Sequence, residues 1–486
     1  MAGVRDFISI LAFGLFLLGG CTEPPKPPNI LLISIDSLRS DHLGAYGYFR
    51  DTSPNLDELA EGGARFETAI APSPWTLPSH VTMMTGRHPA AHGVTTNLRR
   101  LGEDIPTLAE ALRNAGYATA GFVSGPYLRN VFGYDRGFDL YDQSMADVTP
   151  EASRTGISSP QLIAAVRDWL EQHRRNSRHQ PFFIFLHLWD VHYDFLPPPP
   201  WDSLFDPNYA GSIDGRDIEG LSPDISEQDL AHVVALYDGE IAFTDSQLGV
   251  LFDSMEERGL RQDTLIVVTA DHGEEFLEHG RIGHAMQVFD ESLRVPLIIS
   301  FPGRIEPGLV IEEQVRLMDL PQTVLGLTGI KAPQIGMPAD APIRSMDLSP
   351  WLRDDFLKGS FPELVAFPEN RIWGSGRTSV RTSTDKLIRD GALDYYEVFD
   401  LGADPEERSK RTGHGDDLAR TLFELLELER GWQEWLAATP VDAPFSRIDG
   451  GLRAQLEALG YVESEPGTVA PPATNPPGPS KPAPSR

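Results

Sequence analysis

Ile30-Leu31-Leu32-Ile33-Ser34-Ile35-Asp36 is an apolar, mostly branched run that ends in a carboxylate. A continuous apolar run of this length is typical of a strand that is buried on both faces of a parallel sheet. In open α/β sheets, ligands bind beyond the carboxyl ends of such strands. Asp36 is therefore a candidate site residue, and its alternative role is that of an ordinary turn or cap residue.

Four further apolar runs, at residues 117–123, 182–188, 265–268 and 295–299, repeat this pattern along the chain. Helical patterns separate them, at 107–115 and from the capping sequence at 226–229 to Gly259. Strands that alternate with helices predict an α/β fold with a doubly wound, mostly parallel sheet flanked by helices. Short strands at 371–401 and an amphipathic helix at 418–436 predict a smaller C-terminal α+β subdomain.

The two ends of the chain carry signals of export and of disorder. Arg5, the apolar run 8–18 and the small residues before Cys21 have the layout of an export signal and resemble a bacterial lipobox. The alternative is a signal anchor with an incidental cysteine. We expect a lipoprotein signal peptide at 1–21, a Pro-rich linker at 22–28, the α/β domain at 29–330, the C-terminal subdomain at 331–462 and a disordered tail at 463–486. The predicted location is the bacterial cell envelope, on the periplasmic side of the membrane or at the cell surface.

The net charge and the single cysteine limit the partners and the crosslinks of this protein. A formal charge of -30 disfavours nucleic acid and anionic lipid surfaces, so we expect membrane contact only through a lipid on Cys21. Because Cys21 is the only cysteine, no disulfide can form within the chain. An anionic substrate would need positive charge supplied locally, by a metal ion and a few side chains.

Thr76 lies in a proline-bounded turn, Pro74-Trp75-Thr76-Leu77-Pro78-Ser79, that leads into a helix. Such a turn can present a hydroxyl at a helix N-terminus, where backbone N–H groups attract anions. We interpret Thr76 as a nucleophile, and the alternative is a surface loop before a capped helix.

Acidic and imidazole side chains follow three of the predicted strands. Asp36, Asp271 and His272, together with the Thr76 hydroxyl, would make a mixed oxygen and nitrogen site for one divalent cation. Carboxylates with imidazole favour Mn²⁺ or Zn²⁺, with Ca²⁺ as the alternative. The other candidate catalytic and substrate-binding residues are Arg87 and His192, which could neutralise the transferring group, and His284, which could protonate the leaving oxygen or hold the anion.

The chain resembles the sulfatase family of the alkaline-phosphatase superfamily from Asn29 to about Val462. The resemblance rests on Thr76-Leu77-Pro78-Ser79-His80 with the later Thr85-Gly86-Arg87, on Asp271-His272-Gly273-Glu274, and on Arg294-Val295-Pro296-Leu297-Ile298. Several positions depart from the family pattern, three of them among the candidate site residues. Thr76 replaces the cysteine or serine that sulfatases convert to formylglycine, His272 replaces an asparagine, and His284 replaces a lysine. These departures resemble relatives that use threonine directly, such as phosphodiesterases, phosphonate monoester hydrolases and phosphoethanolamine transferases.

The resemblance implies a metal-dependent hydrolase of phosphate or phosphonate esters that works through a covalent Thr76 intermediate on a small anionic substrate. Three alternatives stay open: a sulfatase without formylglycine, a phospho-headgroup transferase, and an inactive lipid-anchored binding protein on the same fold. The sequence leaves open the metal, the oligomeric state, the roles of His80, His187 and Asp190, and the choice between phosphate and sulfate.

Overall fold

The computed structural model describes residues 26–177, 179–332, 334–353, 361–372, 376–391, 393, 395–411 and 416–462. The predicted signal peptide, its Cys21 and the predicted C-terminal tail lie outside these residues. Within them, no helix combines the length and the apolar character needed to cross a membrane.

The strands follow one another from the N-terminus to the C-terminal subdomain. In chain order they are β1 (Asn29–Ile35), β2 (Ala64–Ile70), β3 (Ala118–Ser124), β4 (Leu140–Met145), β5 (Phe182–Leu188), β6 (Thr264–Thr269), β7 (Glu275–Phe276), β8 (Ile282–Gly283), β9 (Arg294–Val295), β10 (Leu297–Ser300), β11 (Leu309–Arg316), β12 (Glu369–Asn370), β13 (Arg377–Arg381), β14 (Asp385–Asp390) and β15 (Tyr395–Asp400).

The helices lie between these strands and at the C-terminal end. In chain order they are α1 (Pro54–Glu61), α2 (Thr76–Thr85), α3 (Pro89–His92), α4 (Leu108–Asn114), α5 (Pro150–Thr155), α6 (Ser159–Ser177), α7 (Glu227–Glu257), α8 (Asp290–Leu293), α9 (Leu320–Thr328), α10 (Asp416–Ala438) and α11 (Gly450–Ala458).

The main sheet has the strand order β11-β2-β10-β6-β1-β5-β3-β4, and β9 pairs with β2. The neighbours from β6 to β4 are parallel, which confirms the predicted mostly parallel α/β sheet. Strands β9 and β10 are the exceptions: β10 runs antiparallel to both β6 and β2, and β9 runs antiparallel to β2. Strands β1, β5 and β6 are buried along their whole length, so their apolar runs form the centre of the core.

The helices pack together in two groups, which is typical of two helix layers on opposite faces of a sheet. Helix α7 contacts α1 and α6, whereas α2 contacts α4 and α9. The C-terminal subdomain is built around the antiparallel sheet β12-β13-β14-β15, against which α10 packs. The prediction of short strands followed by a long amphipathic helix in this part of the chain is confirmed.

A buried ion-pair network joins the two sheets. Lys386 of β14 is fully buried, and its Nζ lies 2.8 Å from a carboxylate oxygen of Asp290 and 2.8 Å from one of Glu407. Arg381 of β13 also pairs with Asp290, at 2.6 Å. Burial by itself raises the pKa of Asp290, but the two cations outweigh that effect and hold the pKa below its usual range.

Replacement of Lys386 by methionine is expected to destabilise the protein by about 3–5 kcal/mol, because it removes the cation that pairs with buried Glu407 and one of the two cations that pair with Asp290. Urea unfolding of the full chain measures this change. The matched control is Lys410→Met, since Lys410 is half exposed and pairs with Glu397. The control is expected to cost at most about 1 kcal/mol. Equal losses for the two variants would contradict the prediction.

Candidate active site

Three ligand-type side chains meet where the central parallel strands end. Strand β1 lies between β5 and β6, and Asp36 directly follows β1, whereas Asp271 and His272 come shortly after β6. One ligand atom from each of these three residues lies within 4.8 Å of the others. All three side chains are fully buried, so the two carboxylates, which repel each other, need hydrogen-bond donors or a cation to compensate their charge.

Thr76 is the first residue of α2, and its hydroxyl lies against this cluster. The Thr76 Oγ1 atom is 3.5 Å from Asp36 Oδ2 and 3.5 Å from His272 Nε2. The side chain has no solvent exposure, which excludes the alternative of a surface loop. The structure thus brings together the four residues that the sequence assigned to a metal site, at a helix N-terminus that favours anions.

The chemistry of the cluster fits a divalent cation. His272 Nδ1 donates to the Gly273 carbonyl at 2.9 Å, so Nε2 keeps its lone pair for a metal. Asp271 Oδ2 is buried and accepts no hydrogen bond within the described residues. Burial raises the pKa of Asp36 to about 6, and burial with the charge of Asp36 raises the pKa of Asp271. A bound cation would keep both carboxylates ionised and satisfy the Asp271 oxygen.

Ser37 holds the two carboxylates in place from the backbone side. Its hydroxyl donates to Asp36 Oδ1 at 3.0 Å, and its N–H donates to Asp271 Oδ1 at 3.3 Å. The residue adopts a left-handed backbone with φ of 57°, which is uncommon for a residue with a side chain. The Tyr237 hydroxyl donates to the Ser37 carbonyl at 2.8 Å and supports this conformation.

Two histidines whose roles the sequence left open support the cluster from behind. His80 Nδ1 donates to the Thr76 carbonyl at 2.9 Å, while Nε2 accepts from the Ser34 hydroxyl at 3.0 Å. His187 Nδ1 donates to the Ser124 carbonyl at 2.7 Å, and its Nε2 faces Asp36 Oδ2 at 3.2 Å. Burial lowers the pKa of His80 to about 3 and that of His187 to about 4. Both imidazoles are therefore uncharged at pH 7.

His284 and His192 lie beside the cluster, where their rings pack in sequence next to that of His272. The His284 ring centroid is 4.4 Å from that of His272 and 4.8 Å from that of His192. His284 Nδ1 lies 3.1 Å from Glu274 Oε2, and His284 Nε2 lies 2.8 Å from the Tyr461 hydroxyl. Glu274 is part of the Asp-His-Gly-Glu segment, but no local signal in the sequence points to Tyr461.

The structure places Arg87 away from the residues with which the sequence grouped it. Thr76 begins α2 and Arg87 follows its C-terminal end, so a ten-residue helix, about 15 Å long, separates them. Arg87 is half-buried and lines a cavity of about 610 Å³ together with Asp104 and Arg113. The Thr-Gly-Arg motif ends the helix and turns the arginine out of reach of the hydroxyl.

Asp190 also has a role outside the cluster. Its carboxylate accepts from the backbone N–H groups of Ser158 and Ser159, at 2.5 and 2.9 Å, where helix α6 begins. Asp190 therefore compensates the N-terminus of α6, as a helix cap does.

The site has little permanent positive charge. The cluster residues, His192 and His284 make hydrogen bonds and ion pairs with histidines, hydroxyls, carboxylates and backbone groups. Among the described residues, none of these contacts involves a lysine or an arginine. A metal ion would therefore be the main local source of positive charge.

Comparisons with known proteins show the family of the chain. A family model described as Sulfatase matches residues 28–330, and one described as N-sulphoglucosamine sulphohydrolase, C-terminal, matches residues 278–427. An ulvan-active sulfatase of Formosa agariphila is 25% identical over 449 residues, which cover 83% of this chain and 82% of that protein. A choline-sulfatase of Rhizobium meliloti is 27% identical over 440 residues, which cover 78% and 81% of the two chains.

A solved structure of a phosphonate monoester hydrolase from Agrobacterium radiobacter superposes with a TM-score of 0.66 at 22% identity, covering 87% of this chain and 100% of that one. This similarity shows a shared fold. The Sulfatase model alone covers more than half of the 486 residues. The chain therefore belongs to the sulfatase family of the alkaline-phosphatase superfamily, a family of metal-dependent ester hydrolases.

Proposed function

We propose that this protein cleaves phosphodiesters or phosphonate monoesters through a covalent phosphothreonine at Thr76. The observation that carries the proposal is the position of Thr76 Oγ1, 3.5 Å from Asp36 Oδ2 and from His272 Nε2 at the start of α2. A hydroxyl in this position can serve as a nucleophile without modification. Its β-carbon bears a methyl group, so oxidation could give only a ketone and not the aldehyde of formylglycine.

The residues around Thr76 have distinct proposed roles. Asp36, Asp271 and His272 would hold one divalent cation, for which we propose Mn²⁺ or Zn²⁺ because of the mixed ligand set. When bound, the ion would act as a Lewis acid toward the anionic ester and lower the pKa of a coordinated hydroxyl. His80 fixes the backbone of Thr76 from behind, and His192 and His284 face the side where the ester would bind.

The charge of the site favours esters with a single negative charge. One divalent cation balances the two carboxylates Asp36 and Asp271, and no lysine or arginine contacts them among the described residues. A phosphodiester or a phosphonate monoester carries one charge, whereas a phosphate monoester carries close to two at neutral pH. Burying the second charge without a partner would be costly.

Sulfuric ester hydrolysis is the second candidate, because a sulfate ester also carries one charge and several related proteins are named sulfatases. The two functions differ at Thr76. A sulfated threonine lacks the elimination route that the hydrate of formylglycine provides, so its turnover is chemically harder.

A substrate panel distinguishes the two functions. The purified full chain, loaded with Mn²⁺ or Zn²⁺, is assayed on bis(4-nitrophenyl) phosphate, 4-nitrophenyl phenylphosphonate and 4-nitrophenyl sulfate. Because the leaving group is the same, differences in kcat/KM report on the transferred group. We expect at least one phosphorus ester to exceed the sulfate by at least about tenfold, or ~1.4 kcal/mol in the barrier. A preference for the sulfate would support the second candidate instead.

A further inference from the structure

Tyr461 lies at the end of the described chain and outside both family matches, which end at residues 330 and 427. It follows α11 and a left-handed turn at Gly460, and its N–H donates to the Leu456 carbonyl at 2.9 Å. Only 1% of Tyr461 is exposed. Tyr461 is thus buried beside a site whose other residues lie between positions 36 and 284, in the α/β part of the chain.

The hydroxyl of Tyr461 lies between the two imidazoles that flank the metal-type cluster. Its oxygen is 2.8 Å from His284 Nε2 and 3.4 Å from His192 Nε2. The His284 ring packs on His272, whose Nε2 is 3.5 Å from the Thr76 oxygen. The hydroxyl is therefore linked to the cluster through one imidazole ring, that of His284.

The backbone that carries Tyr461 is fixed by contacts that do not involve its hydroxyl. Asp449 caps α11 through the Leu452 N–H at 2.7 Å, and Gln455 donates to the carbonyls of Ala146 and Val148. Asn97 donates to the Tyr461 carbonyl at 2.7 Å. The phenolic hydroxyl of Tyr461 is therefore not needed to hold this segment in place.

The hydroxyl can turn toward a substrate without movement of the ring. His192 Nδ1 faces the Tyr193 carbonyl, which can only accept, so His192 Nε2 is an acceptor. His284 Nε2 is also an acceptor in the tautomer whose Nδ1 donates to the Glu274 side chain. One phenolic proton thus faces two acceptor nitrogens. Rotation about the C–O bond redirects this proton to a third acceptor, such as an ester oxygen.

We propose that Tyr461 is a catalytic residue that donates a hydrogen bond to the leaving-group oxygen of the bound ester. The inference rests on the proposed function and adds a residue to it. As the phosphorus–oxygen bond breaks, negative charge develops on the departing oxygen, and a donor aimed at that oxygen stabilises the transition state more than the ground state. Burial raises the pKa of Tyr461 well above its ordinary value, so the donor keeps its proton at neutral pH.

The test compares Tyr461→Phe with the wild-type full chain on two matched esters, phenyl phenylphosphonate and 4-nitrophenyl phenylphosphonate. The phenyl ester has the poorer leaving group and depends more on the hydrogen bond. We expect kcat/KM to fall by about 100-fold for the phenyl ester, the usual effect of losing one such donor, and only a few-fold for the 4-nitrophenyl ester.

Tyr127→Phe is the control, because the Tyr127 ring packs against Tyr461 at 4.9 Å and its buried hydroxyl has no hydrogen-bond partner among the described residues. It is expected to leave both rates within a few-fold of wild type. Equal losses on both esters, or no loss, for Tyr461→Phe would overturn the role of Tyr461 and leave the proposed function standing. Absence of wild-type turnover on both phosphonates and on bis(4-nitrophenyl) phosphate, with Mn²⁺ or Zn²⁺ bound, would overturn both.

Discussion

Thr76→Ala is expected to lower kcat/KM on the preferred phosphorus ester by at least about a thousandfold, because it removes the atom that forms the covalent bond. The loss should come from chemistry and not from unfolding, since Asp36 and His272 are the only hydrogen-bond partners of the Thr76 hydroxyl among the described residues. Steady-state kinetics with the metal-loaded full chain measures the rate. Acid quenching during turnover, followed by mass spectrometry of the peptide with Thr76, detects the phosphothreonine.

Two control variants separate the nucleophile from its surroundings. Thr76→Ser keeps a hydroxyl and is expected to retain turnover well above Thr76→Ala. Arg87→Ala is expected to change kcat/KM by no more than a few-fold, because Arg87 follows the opposite end of α2 and lines another cavity. Turnover that survives Thr76→Ala, or a phosphorylated peptide that does not contain Thr76, would remove the basis for the covalent mechanism.

Removal of the metal is expected to abolish turnover and to destabilise the protein more at pH 7.5 than at pH 5. Burial raises the pKa of Asp36 in the metal-free protein to about 6, above its ordinary value of 3.8. A carboxyl with a raised pKa in the folded state favours folding at low pH, and this contribution is lost as the pH rises through 6. The full loss is about 3 kcal/mol for a shift of this size, and about 1.4 kcal/mol of it falls between pH 5 and pH 7.5.

A bound cation reverses this loss because it compensates the ionised carboxylates. The stabilisation by metal should therefore grow as the pH rises from 5 to 7.5. Urea unfolding with Mn²⁺ or Zn²⁺ and with a chelator, at both pH values, measures it. Burial also raises the pKa of Asp245 to about 6. Its carboxylate accepts hydrogen bonds from Asn55 and Leu56 and is not part of the metal-type cluster, so its titration contributes equally with metal and with chelator.

Asp271→Asn provides the matched control, since it is expected to remove the effect of the chelator at both pH values while the fold remains. Re-addition of Mn²⁺ or Zn²⁺ to the chelated wild-type chain should restore turnover. A chelator effect of equal size at pH 5 and pH 7.5 would contradict the assignment of Asp36 to the metal site.

The central part of the fold could be predicted because its signals are local. Apolar runs at 30–35, 182–188 and 265–268 predict buried strands, and their alternation with helices predicts a parallel arrangement. Parallel strands bring the residues that follow them to one edge of the sheet. Strand β2, with Arg65 and Glu67 in its sequence, lacks such a run and was not predicted. The antiparallel direction of β10 was also missed, since an apolar run does not encode strand direction.

The sequence by itself determined the metal-type cluster, because Asp36, Asp271 and His272 stand next to strong strand signals and Thr76 stands in a motif that begins a helix. Only the tertiary structure decided which other side chains reach that cluster. It joined Tyr461 to His284 across 177 positions of sequence and His187 to Asp36 across 151. It also placed Arg87 in the lining of a separate cavity and Asp190 at the N-terminus of α6. The physical reason is that strand and turn signals act between near neighbours in the chain, whereas the lining of a buried site depends on how distant elements pack.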